Sequence, residues 1–221
     1  METITVYKRN GVSWKSIENE QCSAIEGPVI FASNHQSHVD THVIMDTLPN
    51  HLRKTTAVAA AFDHFADREG TSPKKRFIQF LVAALWHAFG IERIKSPLRS
   101  IRTMQDLLLR GWSIVIYPEG TRSRSGEIAP FKGGLAIIAK KSGRPIIPIC
   151  IQGGRNVLPE ANYIPLPGVI QISYGNRWQP IRLVLFLHSR DPGRSTTLGR
   201  WCGQEVHRGP PYTSVAPPRS P

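Results

Sequence analysis

Cysteine is scarce in this sequence, which has three cysteines among 221 residues. Cys22, Cys150 and Cys202 lack the paired spacing of a disulfide framework or of a cysteine-rich zinc site, so we expect neither. The N-terminal residues are polar and lack the apolar core of a signal peptide. We therefore expect reduced cysteines and a protein that stays in the cytosol.

Motifs of several enzyme classes are also missing. The sequence contains no Gly-x-Ser-x-Gly nucleophile elbow, no phosphate-binding P-loop and no Gly-x-Gly-x-x-Gly dinucleotide fingerprint. Nucleotide kinases and dehydrogenases are therefore disfavoured.

Acidic residues are few relative to basic ones. The formal net charge of +12 favours an anionic partner, either a membrane surface or nucleic acid. Zinc-finger spacing, an aromatic ribonucleoprotein motif and a basic helix followed by leucine heptads are all absent. We expect an anionic membrane surface as a partner, and no nucleic acid.

Short apolar runs bounded by glycine or proline predict five strands, at residues 28–33, 56–62, 113–118, 145–151 and 168–175. Two amphipathic stretches between them predict helices. One places Ile101, Met104 and Leu108 on one face, and the other ends at Gly143. The alternation predicts an α/β fold: a single layered domain over 27–180, with a central, mostly parallel or mixed sheet flanked by helices.

Three segments stand apart from this alternation. Residues 1–26 form a polar N-terminal segment. Residues 76–91 are apolar nearly all round but shorter than the roughly 20 residues that span a bilayer, so they predict a buried core helix or an interfacial helix. Residues 181–221 contain six arginines, no lysine and many prolines and glycines. We expect a disordered or aberrant tail there, and an out-of-frame reading of the gene would explain it.

The stretch FASNHQSHVD, residues 31–40, directly follows an apolar run. Ser37 and Asp40 have capping-box spacing, so a helix is predicted to begin at Ser37 with Asp40 in its first turn. A strand-to-helix turn lets His35 reach Asp40, whereas residues five apart in a continuous helix lie about 140° apart. Because histidine exchanges protons near neutral pH, the pair predicts a general base with its orienting carboxylate.

Two alternatives stay open for this stretch. Asp40 could serve only as a helix cap beside a surface histidine. His35, His38 and His42 are spaced at i, i+3 and i+7 and could offer imidazoles to one metal ion. Since no carboxylate or cysteine elsewhere is marked as a further ligand, we expect no metal.

The stretch YPEGTRSRSG, residues 117–126, follows another apolar run. Pro118, Glu119 and Gly120 predict a tight turn, in which glycine lets the backbone approach a ligand. Ligands of open α/β sheets bind beyond the carboxyl ends of the strands, where both polar stretches lie. The guanidinium of Arg122 can bind phosphate bidentately, so this loop predicts a phosphate-bearing substrate. A charged surface turn is the alternative.

Four motifs in this order, NHQSHVD, YPEGTRS, FKGG and PIIPICIQG, resemble the glycerolipid acyltransferase family, the 1-acylglycerol-3-phosphate acyltransferases and their relatives, over residues 27–175. The resemblance implies a histidine base oriented by an aspartate, and a Glu-Gly-Thr-Arg loop that binds the acceptor's phosphate. The implied catalytic residues are His35 and Asp40; the implied phosphate-binding residues are Glu119, Gly120, Thr121, Arg122 and Arg93; the supporting residues are Asn34, Ser37, Lys132, Gly133 and Pro148. Tyr117 stands where the family more often has phenylalanine.

The resemblance implies transfer of a fatty acyl group from acyl-CoA or acyl carrier protein to the free hydroxyl of a lysophospholipid such as 1-acylglycerol-3-phosphate, in phospholipid biosynthesis or remodelling, without a cofactor. Many members carry an apolar N-terminal helix, which we do not find, so we expect peripheral attachment at the cytoplasmic face of a membrane. Two alternatives are a non-catalytic or truncated lipid-binding remnant of the family, and a thioester or lipid hydrolase in which His35 activates water.

Overall fold

The structure, a computed structural model of the chain, describes residues 3–7, 25–61, 88–91, 97–123, 127–159 and 165–180. At residues 3–7, 60–61, 88–91 and 97 only the backbone is described. The tail over 181–221, most of the apolar stretch over 76–91 and most of the N-terminal segment lie outside these residues.

The described residues form one sheet of seven strands. The strands are β1 Thr3–Tyr7, β2 Ile30–Ser33, β3 Thr56–Ala61, β4 Ala88–Ile91, β5 Ser113–Ile116, β6 Ile146–Gln152 and β7 Val169–Tyr174. Their order across the sheet is β1-β7-β6-β2-β5-β3-β4. The five strands from β6 to β4 are parallel, and β7 runs antiparallel to both β6 and β1. This mixed, mostly parallel sheet confirms the predicted fold class.

All five predicted strands are present, and two further strands were not predicted. β1 lies in the polar N-terminal segment and pairs with β7 at the edge of the described sheet, with Thr3 opposite Ser173. β4 pairs with β3, so the helix predicted over 76–91 is wrong at residues 88–91. A short apolar run fits a buried strand as well as a buried helix, because periodicity alone does not separate the two.

Helices cover both faces of this sheet. They are α1 Val39–Thr47, α2 Asn50–Arg53, α3 Pro97–Leu109, α4 Gly134–Ser142 and α5 Gly154–Val157. The buried side chains of α1 pack in one cluster with Phe31, whereas those of α3 and α4 pack in a second cluster with Ile30. Because successive side chains of a strand point to opposite faces, β2 contributes to both cores. β2 is therefore buried on both faces, between the two helical layers.

The two predicted helices are confirmed in α3 and α4. α3 begins at Pro97, where the missing backbone N–H needs no partner, and it buries Ile101, Met104 and Leu108 as predicted. α4 ends at the predicted Gly143. None of the helices formed by the described residues is long and apolar enough to cross a bilayer.

Cys150 lies buried in β6 and is disulfide-bonded. The other two cysteines of the chain lie outside the described residues. The expectation of reduced cysteines is therefore wrong at Cys150. Sequence spacing gave no sign of this bond, because a disulfide depends on the distance between two cysteines in the fold.

Candidate active site

The two polar stretches singled out in the sequence meet at one edge of the sheet. β2 lies between β5 and β6 and runs parallel to both, so the three strands end at the same edge. The loop after β2 carries His35, the loop after β5 carries Glu119, and the loop after β6 leads into α5. This agrees with the general placement of ligand sites in open α/β sheets.

His35 and Asp40 form the predicted pair. The Nδ1 atom of His35 lies 3.0 Å from Oδ2 of Asp40, whose side chain is fully buried. The same Oδ2 accepts the backbone N–H groups of Gln36 at 2.6 Å and Ser37 at 2.7 Å. Three donors around one oxygen fix the carboxylate and, through it, the imidazole.

The start of α1 differs slightly from the predicted one. The helix begins at Val39, with His38 as its N-cap, and not at Ser37. Ser37 and Asp40 still bond locally, since the Asp40 carboxylate accepts the Ser37 N–H and the Ser37 hydroxyl accepts the Val39 N–H at a long 3.5 Å. The Asp40 carboxylate thus bonds across the turn that separates His35, the predicted base, from α1.

The second ring nitrogen of His35, Nε2, makes no hydrogen bond to any described residue, and the side chain is 18% exposed. The ring stacks on Tyr117, with centroids 4.0 Å apart and planes 17° apart. The Tyr117 hydroxyl is 2.7 Å from the hydroxyl of Thr41 on α1. One nitrogen of His35 is therefore held while the other is available to a substrate proton.

The Tyr117 phenol stays protonated in this setting. Burial raises its pKa above the usual range, and the negative charge of Asp40 raises it further, while the hydrogen bond to Thr41 opposes them. A neutral ring beneath the imidazole adds no second anion to the site. Tyr117 is thus suited to hold the His35 ring in place.

Glu119, for which a phosphate contact is predicted, is buried beside the loop that carries His35. Its side chain is 2% exposed, and its two oxygens accept the backbone N–H of His35 at 2.9 Å and of Ala129 at 2.8 Å. Burial raises the pKa of this carboxyl, and the two backbone hydrogen bonds partly offset the effect. Glu119 therefore joins the loop of residues 34–38, called the base loop after the predicted base His35, to Ala129.

Replacing Glu119 by glutamine should destabilise the fold. The amide can accept only one of the two backbone N–H groups, and its own N–H₂ then faces the other. A buried donor left without an acceptor costs about 1–3 kcal/mol, so we expect the free energy of unfolding to fall by that amount in urea titrations.

Glu26→Gln is the matched control, because Glu26 is exposed and surface changes usually stay within about 0.5 kcal/mol. Burial raises the pKa of Glu119 in the folded state, so the contribution of Glu119 to stability falls as pH rises through that pKa. The difference in the free energy of unfolding between wild type and Glu119→Gln should therefore become smaller as pH rises. Equal stability of Glu119→Gln and wild type across this range would contradict the joining role.

The rest of the Glu-Gly-Thr-Arg loop lies closer to solvent. Gly120 has φ +73°, and a side chain there would meet the amine of Lys132. Thr121 is exposed and Arg122 partly exposed. The next residue, Ser123, donates its backbone N–H to the His35 carbonyl at 2.8 Å. The predicted phosphate loop therefore lies directly beside the base, with Lys132 folded over its glycine.

The loops around β6 complete the surroundings of the base. The Asn34 side-chain amide donates to the Ile151 carbonyl and accepts the Ile151 N–H, both at 2.8 Å. The Ser37 hydroxyl donates to the carbonyl of Leu158 at 2.7 Å. Pro148 lies within β6 opposite Ala32 of β2. Asn34 and Ser37 thus tie the base loop to the strand and loop beside it.

The remaining sequence predictions concern Arg93, Gly133 and a metal ion. Arg93 lies outside the described residues. Gly133 is the N-cap residue of α4 and is exposed. Among the described residues, no three histidine, cysteine, aspartate or glutamate side chains come together to hold a metal ion, so the three-histidine alternative receives no support.

Sequence reasoning missed two neighbours of the pair. Tyr117 was noted for its position in the motif and not for its stacking on His35. Gly154 was not singled out, yet a Cβ at this position would lie 2.5 Å from Oδ1 of Asp40. The available signal was the pair Gly153 and Gly154 directly after β6, because glycine often marks a close approach of the backbone to another group.

Comparison with known proteins places this geometry in context. Residues 14–152 match the sequence model of the family described as Acyltransferase. The chain is 27% identical over 160 residues to the chloroplastic 1-acyl-sn-glycerol-3-phosphate acyltransferase BAT2 of Brassica napus, covering 71% of this chain and 42% of that protein. It is 25% identical over 162 residues to a chloroplastic enzyme of the same name from Arabidopsis thaliana, covering 71% and 40%. The chain spans about two fifths of the length of these relatives.

Among solved structures, the fold is similar to that of the 1-acyl-sn-glycerophosphate acyltransferase PlsC from Thermotoga maritima. The TM-score is 0.58 at 21% sequence identity, and the match covers 90% of this chain and 72% of the other. At this identity the likeness shows a shared fold.

Proposed function

Because this chain belongs to the acyltransferase family, we propose that it transfers a fatty acyl group from acyl-CoA or acyl carrier protein to the free hydroxyl of a lysophospholipid such as 1-acylglycerol-3-phosphate. The observation that carries the proposal is the geometry of His35. Its Nδ1 is bound to the buried Asp40 carboxylate, and its Nε2 is unengaged by any described residue. This is the arrangement that a general base requires.

The proposed reaction needs no covalent intermediate on the protein. His35 Nε2 accepts the proton of the acceptor hydroxyl as that oxygen attacks the carbonyl carbon of the acyl thioester. A carbon–oxygen bond forms, the carbon–sulfur bond breaks, and the departing thiolate takes up the proton held by His35. Asp40 stabilises the imidazolium that exists between these two transfers.

The proposed chemistry uses only groups of the chain and its two substrates, so we propose that no cofactor takes part. The hydrogen bond that Glu119 accepts from the His35 N–H, and those that Asn34 and Ser37 donate, hold the base loop before a substrate arrives. Such pre-positioning lowers the barrier, because the catalytic group need not be ordered during the reaction.

We also propose peripheral attachment to the cytoplasmic face of an anionic membrane. The net charge of +12 supports this, since basic residues near an anionic surface contribute about 1 kcal/mol each. A lysophospholipid acceptor resides in such a surface. Binding to vesicles with and without anionic lipid, at low and high salt, measures this contribution directly.

A transfer assay with a defined donor tests the proposed function. Purified protein is incubated with labelled acyl-CoA or acyl carrier protein and a panel of lysophospholipids, with His35→Ala as the control. Formation of labelled phospholipid supports acyl transfer and identifies the acceptor. Release of free fatty acid would instead show a hydrolase, and lipid binding without either product would show a non-catalytic remnant.

Replacing Arg122 by lysine should weaken use of the acceptor. If the guanidinium binds the acceptor phosphate through two parallel hydrogen bonds, lysine keeps the charge but loses the fork. A charge-assisted hydrogen bond is worth about 1.5–3 kcal/mol, so kcat/KM for the lysophospholipid should fall about 10-fold to 150-fold. The KM for the acyl donor should stay nearly unchanged, and Arg122→Ala should cost more.

Arg102→Lys is the matched control, because Arg102 is exposed on α3 and belongs to neither of the two polar stretches. Unchanged kinetics in both Arg122 variants would assign the arginine to the surface of the turn. A defect confined to the acyl donor would assign the loop to the donor site.

A further inference from the structure

The backbone of Gly154 lies against the carboxylate that orients the base. A Cβ added at this glycine would lie 2.5 Å from Oδ1 of Asp40, and 3.5 Å from both the Ser37 Cβ and a methyl of Val39. Real Cβ atoms essentially never approach another heavy atom within 3.0 Å, so the first of these distances requires a shift. Only the absence of a side chain at Gly154 lets Asp40 occupy its present position.

The two oxygens of Asp40 have very different surroundings. Oδ2 accepts hydrogen bonds from His35, Gln36 and Ser37. Oδ1 is buried and has no hydrogen-bond partner among the described residues. The unpartnered oxygen is the one that faces Gly154. The glycine therefore contributes space to the carboxylate and not a hydrogen bond.

The segment around Gly154 has little freedom to move away from Asp40. Gly153 has φ +83°, and a side chain there would collide with the backbone of Val169. On the far side of α5, the Leu158 carbonyl accepts the Ser37 hydroxyl at 2.7 Å. The segment from Gly153 to Leu158 is thus held at both ends. A methyl group at Gly154 must displace Asp40, because the backbone that carries it is fixed.

We propose that Gly154 is a positioning residue of the acyl-transfer site, which sets the orientation of the Asp40 carboxylate and, through it, that of His35. The catalytic consequence of this proposal rests on the function proposed above. The steric coupling between Gly154 and Asp40 stands on the geometry alone. Residue 154 acts through Asp40 and touches no reacting atom.

The first test is the kinetics of Gly154→Ala in the transfer assay. A displacement of about 1 Å at a catalytic group can cost about 10²-fold in rate, and we expect kcat to fall by about that factor. The KM values for donor and acceptor should change little, because the substitution acts on the orientation of Asp40 and His35 and removes no side chain that could bind a substrate. A rise in KM with unchanged kcat would contradict a positioning role.

Gly134→Ala is the matched control. Gly134 is the first residue of α4, as Gly154 is of α5, but a Cβ there meets no atom within 4 Å. Gly134→Ala should therefore keep wild-type kinetics and stability. If it loses as much activity as Gly154→Ala, the loss belongs to glycine removal at a helix start and the proposal is overturned.

The second test is a double-mutant cycle that needs no activity. In urea titrations Gly154→Ala should lower the unfolding midpoint of the wild-type protein. In an Asp40→Ala background, where the clashing oxygen is gone, the same substitution should lower it far less. Equal shifts in the two backgrounds would overturn the coupling. If Gly154→Ala alone fails to fold, recovery of a folded protein in the double variant supports the coupling and failure of both overturns it.

The two tests separate the inference from the proposed function. An inactive wild-type protein in the transfer assay would refute the function but leave the cycle to decide the coupling. An active wild type with an additive cycle would refute the coupling and leave the function intact.

Discussion

Replacing His35 by alanine should lower kcat for acyl transfer by about 10² to 10⁴, the range for loss of a general base. The physical reason is that the acceptor hydroxyl is a weak nucleophile until a positioned base takes its proton. His35 has the geometry for this step, with Nδ1 bound to Asp40 and the ring stacked on Tyr117. Binding of lysophospholipid vesicles should be unaffected, because the variant removes a proton acceptor and not a phosphate contact.

His51→Ala is the control for this prediction, since His51 is an exposed histidine on α2. Its kinetics should match wild type. Full activity in His35→Ala would refute the mechanism, and loss of lipid binding in step with activity would show that the variant had damaged the fold.

Replacing Asp40 by asparagine should be comparably damaging, with a loss that approaches about 10⁴, the effect of turning the orienting carboxylate of a catalytic histidine into an amide. The amide oxygen can occupy the place of Oδ2 and still accept from Gln36 and Ser37. The negative charge that stabilises the imidazolium is absent. If the amide turns round, its N–H₂ donates to Nδ1 and leaves the proton on Nε2, so His35 cannot act as a base.

Asp46→Asn serves as the control for Asp40→Asn, because Asp46 is a partly exposed aspartate on the same helix. The measurement is kcat under saturating donor and acceptor, with urea titrations to follow stability. A fall in kcat that exceeds any fall in stability supports the orienting role. Equal kcat in Asp40→Asn and wild type would show that the buried charge has no part in the reaction.

Four of the five parallel strands could be predicted because such strands are buried on both faces and read as continuous apolar runs. β2, β5 and β6 are such runs, and they bring the two polar stretches to one edge. β1 could not be predicted in this way, since its residues TITVY sit in a polar segment and pair at the edge of the described sheet. β4 was hidden inside a longer apolar stretch that fits a helix equally well.

The His35–Asp40 pair could be predicted because the two residues are close in sequence and lie on a single turn. For Glu119 the resemblance to the acyltransferase family implied a contact with the acceptor's phosphate. Its partners are backbone N–H groups of His35 and Ala129, which no side-chain pattern encodes. The contact of Gly154 with Asp40 was equally hidden, because two segments far apart in sequence meet there.

The hydrogen bonds that hold the base loop have a consequence for the order in which the proposed site forms. They join His35 to Glu119 across 84 positions, Asn34 to Ile151 across 117, and Ser37 to Leu158 across 121. Contacts of such long range form late, since much of the chain must be ordered first. During synthesis His35 and its loop therefore lack the complete set of these hydrogen bonds until residue 158 has emerged from the ribosome. The proposed site is therefore complete only once the loops after β2, β5 and β6 have packed together, and a nascent or partly opened chain holds His35 and Asp40 without these supporting hydrogen bonds.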